Sequence, residues 1–198
     1  MGSLQTKIGV WNMALDVLRE QPLSATTDTA PPAKWLSRNY DQQRDFLMES
    51  MLWKFAMTRA NVAAEATTPA WGWSYQFILP TECLRIIPPT VNGQWMGTPL
   101  PYETENGRLL MNIPGPLPLR YIQRITNEGL MSNGFLEVLS LRLARKMAHW
   151  MTGKQSMVET IKDQLTETLE VVRTTEAVQV AGGTYYDTDV ADDRENFF

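Results

Sequence analysis

A chain of 198 residues, 43% of them hydrophobic, can bury a substantial core as one good-sized domain or as a body with an insertion. Its formal net charge of −4 and isoelectric point near 5.1 count against a protein that grips nucleic acid electrostatically. One cysteine, Cys83, excludes an internal disulfide and any cysteine-based metal cluster, and it reads as a small buried hydrophobe. No stretch has the length of a transmembrane helix and none reads as a signal peptide, so a soluble protein made in a reducing cytoplasm is expected. Gly2 with Thr6 matches the spacing of a myristoylation site, but Leu4 already belongs to a helical stripe, and no lipid anchor is expected. Seven tryptophans and eleven methionines fit two readings, bulky core filler or side chains held for subunit contacts.

Leu4, Ile8, Trp11, Leu15 and Leu18 recur at spacings of four and three, which predicts a first helix ended by Pro22. After a Thr-rich connector, Pro31-Pro32 sits where proline opens a second helix. Leu36, Tyr40, Leu47, Met51 and Phe55 stripe it, Phe46, Trp53 and Met57 widen the stripe, and the helix is expected to reach about Arg59. Asp41, Arg44, Asp45 and Glu49 form its other side, expected to be solvated.

The pattern then changes. Trp71, Trp73, Tyr75 and Phe77 alternate as in a half-buried strand, Pro80 interrupts, and Cys83 to Ile87 resumes. Asn106-Gly107 between two strand-like runs is a hairpin signal, and prolines isolate a last strand from Leu119 to Ile125. Leu136, Leu139, Leu143, Met147 and Trp150 stripe a third helix stopped by Gly153. Met157, Ile161, Leu165, Leu169 and Val172 stripe a fourth, antiparallel to the third because the link is so short. The expected fold is therefore α+β. It is an antiparallel four-helix body (1–62 and 131–178) with a small antiparallel β insertion (70–126) between the second and third helices, and an extended C-terminal arm (181–198).

Catalytic chemistry has little to draw on. His149 is the only histidine, no Gly-x-Ser-x-Gly or phosphate-cradling loop occurs, and neither a catalytic set, a metal site nor a cofactor is expected. Arg142, Arg145 and Lys146 share one side of the third helix. They fit ion pairing with fourth-helix acids such as Glu159 and Asp163 or a seam against the next subunit, with nucleic-acid binding third because the chain as a whole is acidic. The C-terminal arm combines Asp187, Asp189, Asp192, Asp193 and Glu195 with Tyr185, Tyr186, Phe197 and Phe198. A solubilising tail explains the acids alone; the paired aromatics favour an arm that orders on a partner.

Two blocks carry a family resemblance. One is Trp11-Asn12-Met13-Ala14-Leu15 with Arg44-Asp45-Phe46-Leu47 leading to Trp53-Lys54-Phe55-Ala56. The other is Trp73-Ser74-Tyr75-Gln76-Phe77 followed by Leu79-Pro80-Thr81-Glu82-Cys83-Leu84-Arg85-Ile86. In this order the chain resembles the tail tubular protein A family, the head-to-tail connector adaptors of tailed bacteriophages. Glu82 stands where that family's pattern has Asp, and an extra Ile78 precedes Leu79.

The resemblance implies a virion protein of the tail neck with no enzymatic activity. It would form a ring, typically of twelve copies, between the portal protein and a distal tail or nozzle protein. DNA would pass through the channel without sequence-specific binding and no membrane would be involved. The arm residues Tyr185, Tyr186, Asp187, Asp189, Asp192, Asp193, Phe197 and Phe198 would reach the portal, and Arg142, Arg145 and Lys146 would line the subunit seam. Two other classes stay open on the residues alone. One is a carbohydrate-active enzyme or sugar-binding module using the tryptophans with Glu103 and Glu105. The other is a helical cytoplasmic protein that dimerises through Met-rich faces.

Overall fold

Thr6 starts the first helix, α1 (Lys7–Val17), by accepting the Gly9 N–H on its hydroxyl at 3.1 Å. The computed structural model of the chain describes residues 5–95 and 97–181, with side chains described to residue 178. Three further helices follow in the sequence: α2 (Pro31–Ser50), α3 (Asn133–Thr152) and α4 (Gln155–Ala181). Between α2 and α3 lie strands β1 (Met57–Val62), β2 (Tyr75–Ile78), β3 (Cys83–Ile87), β4 (Glu103–Glu105), β5 (Arg108–Met111) and β6 (Leu117–Gln123). The chain divides into two compact units, Met1–Phe55 with Ile125–Phe198 and Ala56–Arg124.

In the helical unit α3 is the central element and packs against α1, α2 and α4. Its inner face buries Phe135, Leu139, Leu143, Ala144 and Met147. Ser132 caps its start, and Gly153, in the left-handed region at φ 63°, ends it. A Cβ on Gly134 would stand 2.9 Å from Val172 Cγ2, so the first turn of α3 presses directly on the far half of α4. With only Gly153 and Lys154 between them, the two helices are antiparallel. Trp53 closes the core at 0% exposure, edge-on to Phe135 at 4.9 Å, with its indole N–H donated to the Leu47 carbonyl at 2.8 Å.

The second helix ends earlier than its periodicity predicts. Two donors, Ser50 Oγ and Trp53 Nε1, take the Leu47 carbonyl, and Met51 is already extended (φ −136°, ψ 167°). Residues 57–62 are then strand β1 and pair antiparallel with β6. Trp53, Phe55 and Met57 fit a period of two as well as a helical stripe, which is why the run misleads.

The fold-class expectation needs a corresponding correction. The strands do not form one small insertion in a four-helix body; they form two three-stranded antiparallel sheets, ordered β1-β6-β3 and β2-β5-β4. The class is α+β. Phe77, Leu109 and Met111 from one sheet meet Leu117, Leu119 and Tyr121 from the other in a single core. Half-buried Cys83 packs against that cluster, and burial pushes its thiol above the ordinary value. The Asn106-Gly107 turn joins β4 to β5 with φ of 44° and 71°, the positive pair a type I′ hairpin requires. The expected arm at 181–198 overlaps α4 only at Ala181, and the rest of it lies outside the described residues.

Candidate functional site

Three surfaces collect the polar and aromatic side chains that the cores leave over. The first lies on the helical unit, where α2 meets α3. Arg142 donates Nε to Gln43 Oε1 at 3.0 Å and lays its guanidinium 4.3 Å from the Phe46 ring centroid. Burial, and then the neighbouring Arg145 charge, push the Arg142 guanidinium below its ordinary value. Phe46 nevertheless stays 53% exposed, and Trp150 on the same helix as Arg142 is 46% exposed. Arg145 and Lys146 are exposed. Among the described residues no ion pair joins Arg142, Arg145 or Lys146 to Glu159 or Asp163.

The other two surfaces are the outer faces of the β unit, and strand register defines them. Residues directly opposite in an antiparallel pair project to one side. Arg59 is opposite Arg120 across β1 and β6. Arg85 on β3 is opposite Ile122, next but one along β6. Because Ala60, Leu119, Tyr121 and Ile86 turn into the core of the β unit, all three arginines stand on the other side of their sheet, which they share with Ile122 at 0% exposure; Arg59 is exposed, and Arg85 and Arg120 are half-buried. Arg120 donates to the Gly93 carbonyl at 3.1 Å and lies 5.0 Å over the Trp95 ring. Burial, and then the Arg59 charge, hold its guanidinium below the ordinary value. None of the three arginines pairs with a carboxylate among the described residues.

The outer face of the second sheet has the opposite character. Glu103 and Glu105 on edge strand β4 lie opposite Leu110 and Arg108. Arg108 is committed to Glu65, with Nε 2.7 Å from Oε2. Glu103 accepts the Trp73 indole N–H at 2.8 Å, while Glu105 forms no ion pair among the described residues. Trp71 and Trp73, with Gln76, Glu103 and Glu105, border a concavity of about 270 Å³. Trp71 is 84% exposed, the most open large apolar side chain described. The structure thus brings together the tryptophans and carboxylates that the sequence reading grouped.

Several residues with structural roles escaped that reading. Asn12 uses both ends of its amide on residue 23, accepting the Leu23 N–H at 2.8 Å and donating to its carbonyl at 3.1 Å, which pins the α1–α2 connector. Arg44, expected on a solvated face, is 5% exposed and held by Asp41 at 2.9 Å and Asp45 at 2.7 Å. Glu176 accepts the Lys54 N–H at 2.9 Å and the Ser132 hydroxyl at 3.4 Å, fastening the turn after α2 and the cap of α3 to α4. Tyr40 donates to Glu128 at 3.1 Å, and burial first, then the Glu128 charge, drive its phenol far above the ordinary value.

The arm residues Tyr185, Tyr186, Asp187, Asp189, Asp192, Asp193, Phe197 and Phe198 lie outside the described residues. Among the described residues no group of three or more His, Cys, Asp or Glu side chains is placed to hold a metal ion, and no helix is long and apolar enough to cross a membrane. The chain matches no family model and no curated protein, so neither comparison links it to the connector adaptors.

Proposed function

We propose that the chain is a head-to-tail connector adaptor of a tailed bacteriophage, a structural virion protein that forms a ring below the portal and continues the DNA channel towards the tail. The resemblance of the two sequence blocks supports the family. The observation that carries the structural role is the α2–α3 face. Phe46 stands half in water beneath the Arg142 guanidinium, beside Arg145 and Lys146, which have no acidic partner among the described residues. Exposed aromatics interleaved with arginine are the composition of an interface centre rather than of a solvated helix. In this reading Arg142, Arg145 and Lys146 form the subunit seam, the arm from Tyr185 to Phe198 docks on the portal, and no reaction is catalysed.

Light scattering with and without the cognate portal protein tests the proposal. A multi-copy particle is expected, alone or once the portal is added, and truncation before Tyr185 is expected to abolish the portal-bound form while the thermal melt is unchanged. A monomer or dimer indifferent to the portal would remove the adaptor reading.

The concavity at Trp71, Trp73, Glu103 and Glu105 favours a second reading, a sugar-binding module, because an open indole beside carboxylate acceptors suits a pyranose ring and its hydroxyls. Titration with α- and β-linked neutral hexaoses, followed by tryptophan fluorescence, is then expected to saturate in the native chain and not in Trp71→Ala. No change with any hexaose dismisses this reading.

A further inference from the structure

The β unit carries unpaired charge of opposite sign on its two outer faces. Of its nine formal charges, Arg108 pairs with Glu65 and Arg124 with Glu82. Arg59, Arg85 and Arg120 remain on the outside of the β1-β6-β3 sheet, and Glu103 and Glu105 on the outside of the β2-β5-β4 sheet. The shared core lies between these two sheets, so the arginine face and the glutamate face point away from each other.

Neither face balances its charge with an ion pair, although Arg120 is held by the Gly93 carbonyl and the Trp95 ring and Glu103 by the Trp73 indole. Arg59 and Arg120 are directly opposite on neighbouring strands, an arrangement of like charges that destabilises a sheet. On the other side Glu105 stands exposed, and the open Trp71 indole offers an aromatic plane to an incoming guanidinium. Two arginines brought against two glutamates and an indole would satisfy both faces at once. No single copy can do this, because the faces are back to back.

We propose that the β units of neighbouring copies associate head to tail, the arginine face of one (Arg59, Arg85, Arg120) docking on the Glu103–Glu105 strand and Trp71 of the next. This rests on the ring reading above and adds a second lateral contact, between β units, to the helical seam at Arg142, Arg145 and Lys146. A contact between two different faces is heterologous: each copy uses one face in each direction, and the chain of contacts closes into a ring when the rotation per copy allows it. Two-fold pairing through these faces is disfavoured, since it would place arginine against arginine or glutamate against glutamate.

Charge exchange between copies tests the contact. One variant carries Arg59→Glu with Arg85→Glu, leaving Arg120 on its Trp95 support; the other carries Glu103→Arg with Glu105→Arg. Each is assayed by light scattering under the conditions in which the native chain assembles, with far-UV melts to check folding. Each variant alone is expected to lose the assembled species. An equimolar mixture is expected to recover it, because every contact then again joins an acidic face to a basic one. Recovery in the mixture also shows that both variants are folded. A native ring that survives either reversal overturns the contact and leaves the ring reading intact. Loss in both variants without recovery in the mixture also overturns it. If the arginine face instead serves nucleic acid, the Arg59→Glu, Arg85→Glu variant assembles normally but loses retention on a DNA column. A native chain that never assembles, with or without the portal, overturns the ring reading and this contact with it.

Discussion

Arg59 shows at the scale of one residue what this chain gives up in its own stability. It faces Arg120 across the β1–β6 ladder, where opposed side chains have their Cβ atoms about 5 Å apart, and no carboxylate forms an ion pair with it among the described residues. Arg44 is the contrast. It is more deeply buried, yet Asp41 and Asp45 hold it, and Lys7 reinforces Asp41 at 3.2 Å. A cation left beside another cation on a sheet is therefore not a habit of this fold. Replacing Arg59 with threonine, which suits a strand, should raise the stability of the unassembled chain by about 0.2–1 kcal/mol. The same substitution should weaken assembly. Thermal melts at concentrations below assembly, alongside light scattering above it, read both effects. A lower melting temperature would mean that the Arg59–Arg120 pair is not repulsive.

At the scale of elements, the sequence was legible in places where one local rule acted alone, though not at β6, which runs Leu117–Gln123 with Pro118 inside it where the prolines had marked a strand from Leu119 to Ile125. Asn106-Gly107 made its hairpin because both positions need positive φ, and Gly153 ended α3 for the same reason. The strand from Cys83 to Ile87 has the limits its flanking prolines set. The reading failed at residues 51–59, where apolar side chains satisfied two periods at once. What decided there was tertiary: Trp53 turned into the core and took the Leu47 carbonyl, a choice no local pattern encodes. That one error removed β1 from the expected sheet and hid the arginine face, since Arg59 has a strand partner only once β1 exists. The tryptophan and glutamate groove was legible in its members but not in its shape, because Trp71 precedes β2 and is placed by the turn at Gly72, φ 81°. Asn12 and Glu176 could not be read, since their partners lie across a loop or 122 residues away. The charges on β4 also have a plainer use, as they keep an exposed edge strand from pairing with another edge. That use does not account for Trp71.

Over the whole molecule, charge is divided unevenly. The β unit holds five arginines against four glutamates and is net positive by one, so the chain's −4 leaves −5 on the rest. Two kinds of surface on this chain invite association, and salt separates them. The faces of the β unit act through Arg59, Arg85, Glu103 and Glu105, whose attraction is screened as the Debye length falls from about 10 Å at about 0.1 M salt to about 3 Å at about 1 M. The α2–α3 face acts largely through Phe46, whose burial is apolar and does not weaken with salt. If the β contact closes the ring, sedimentation should show the assembled species dissolving between those two concentrations in the native chain. Phe46→Ser should lower the assembled fraction at about 0.1 M salt without changing the salt range over which the remainder dissolves. An assembly that persists at about 1 M salt and disappears with Phe46→Ser would leave the helical seam as the whole lateral contact, and the opposed charges of the β unit would then serve only to orient approaching copies.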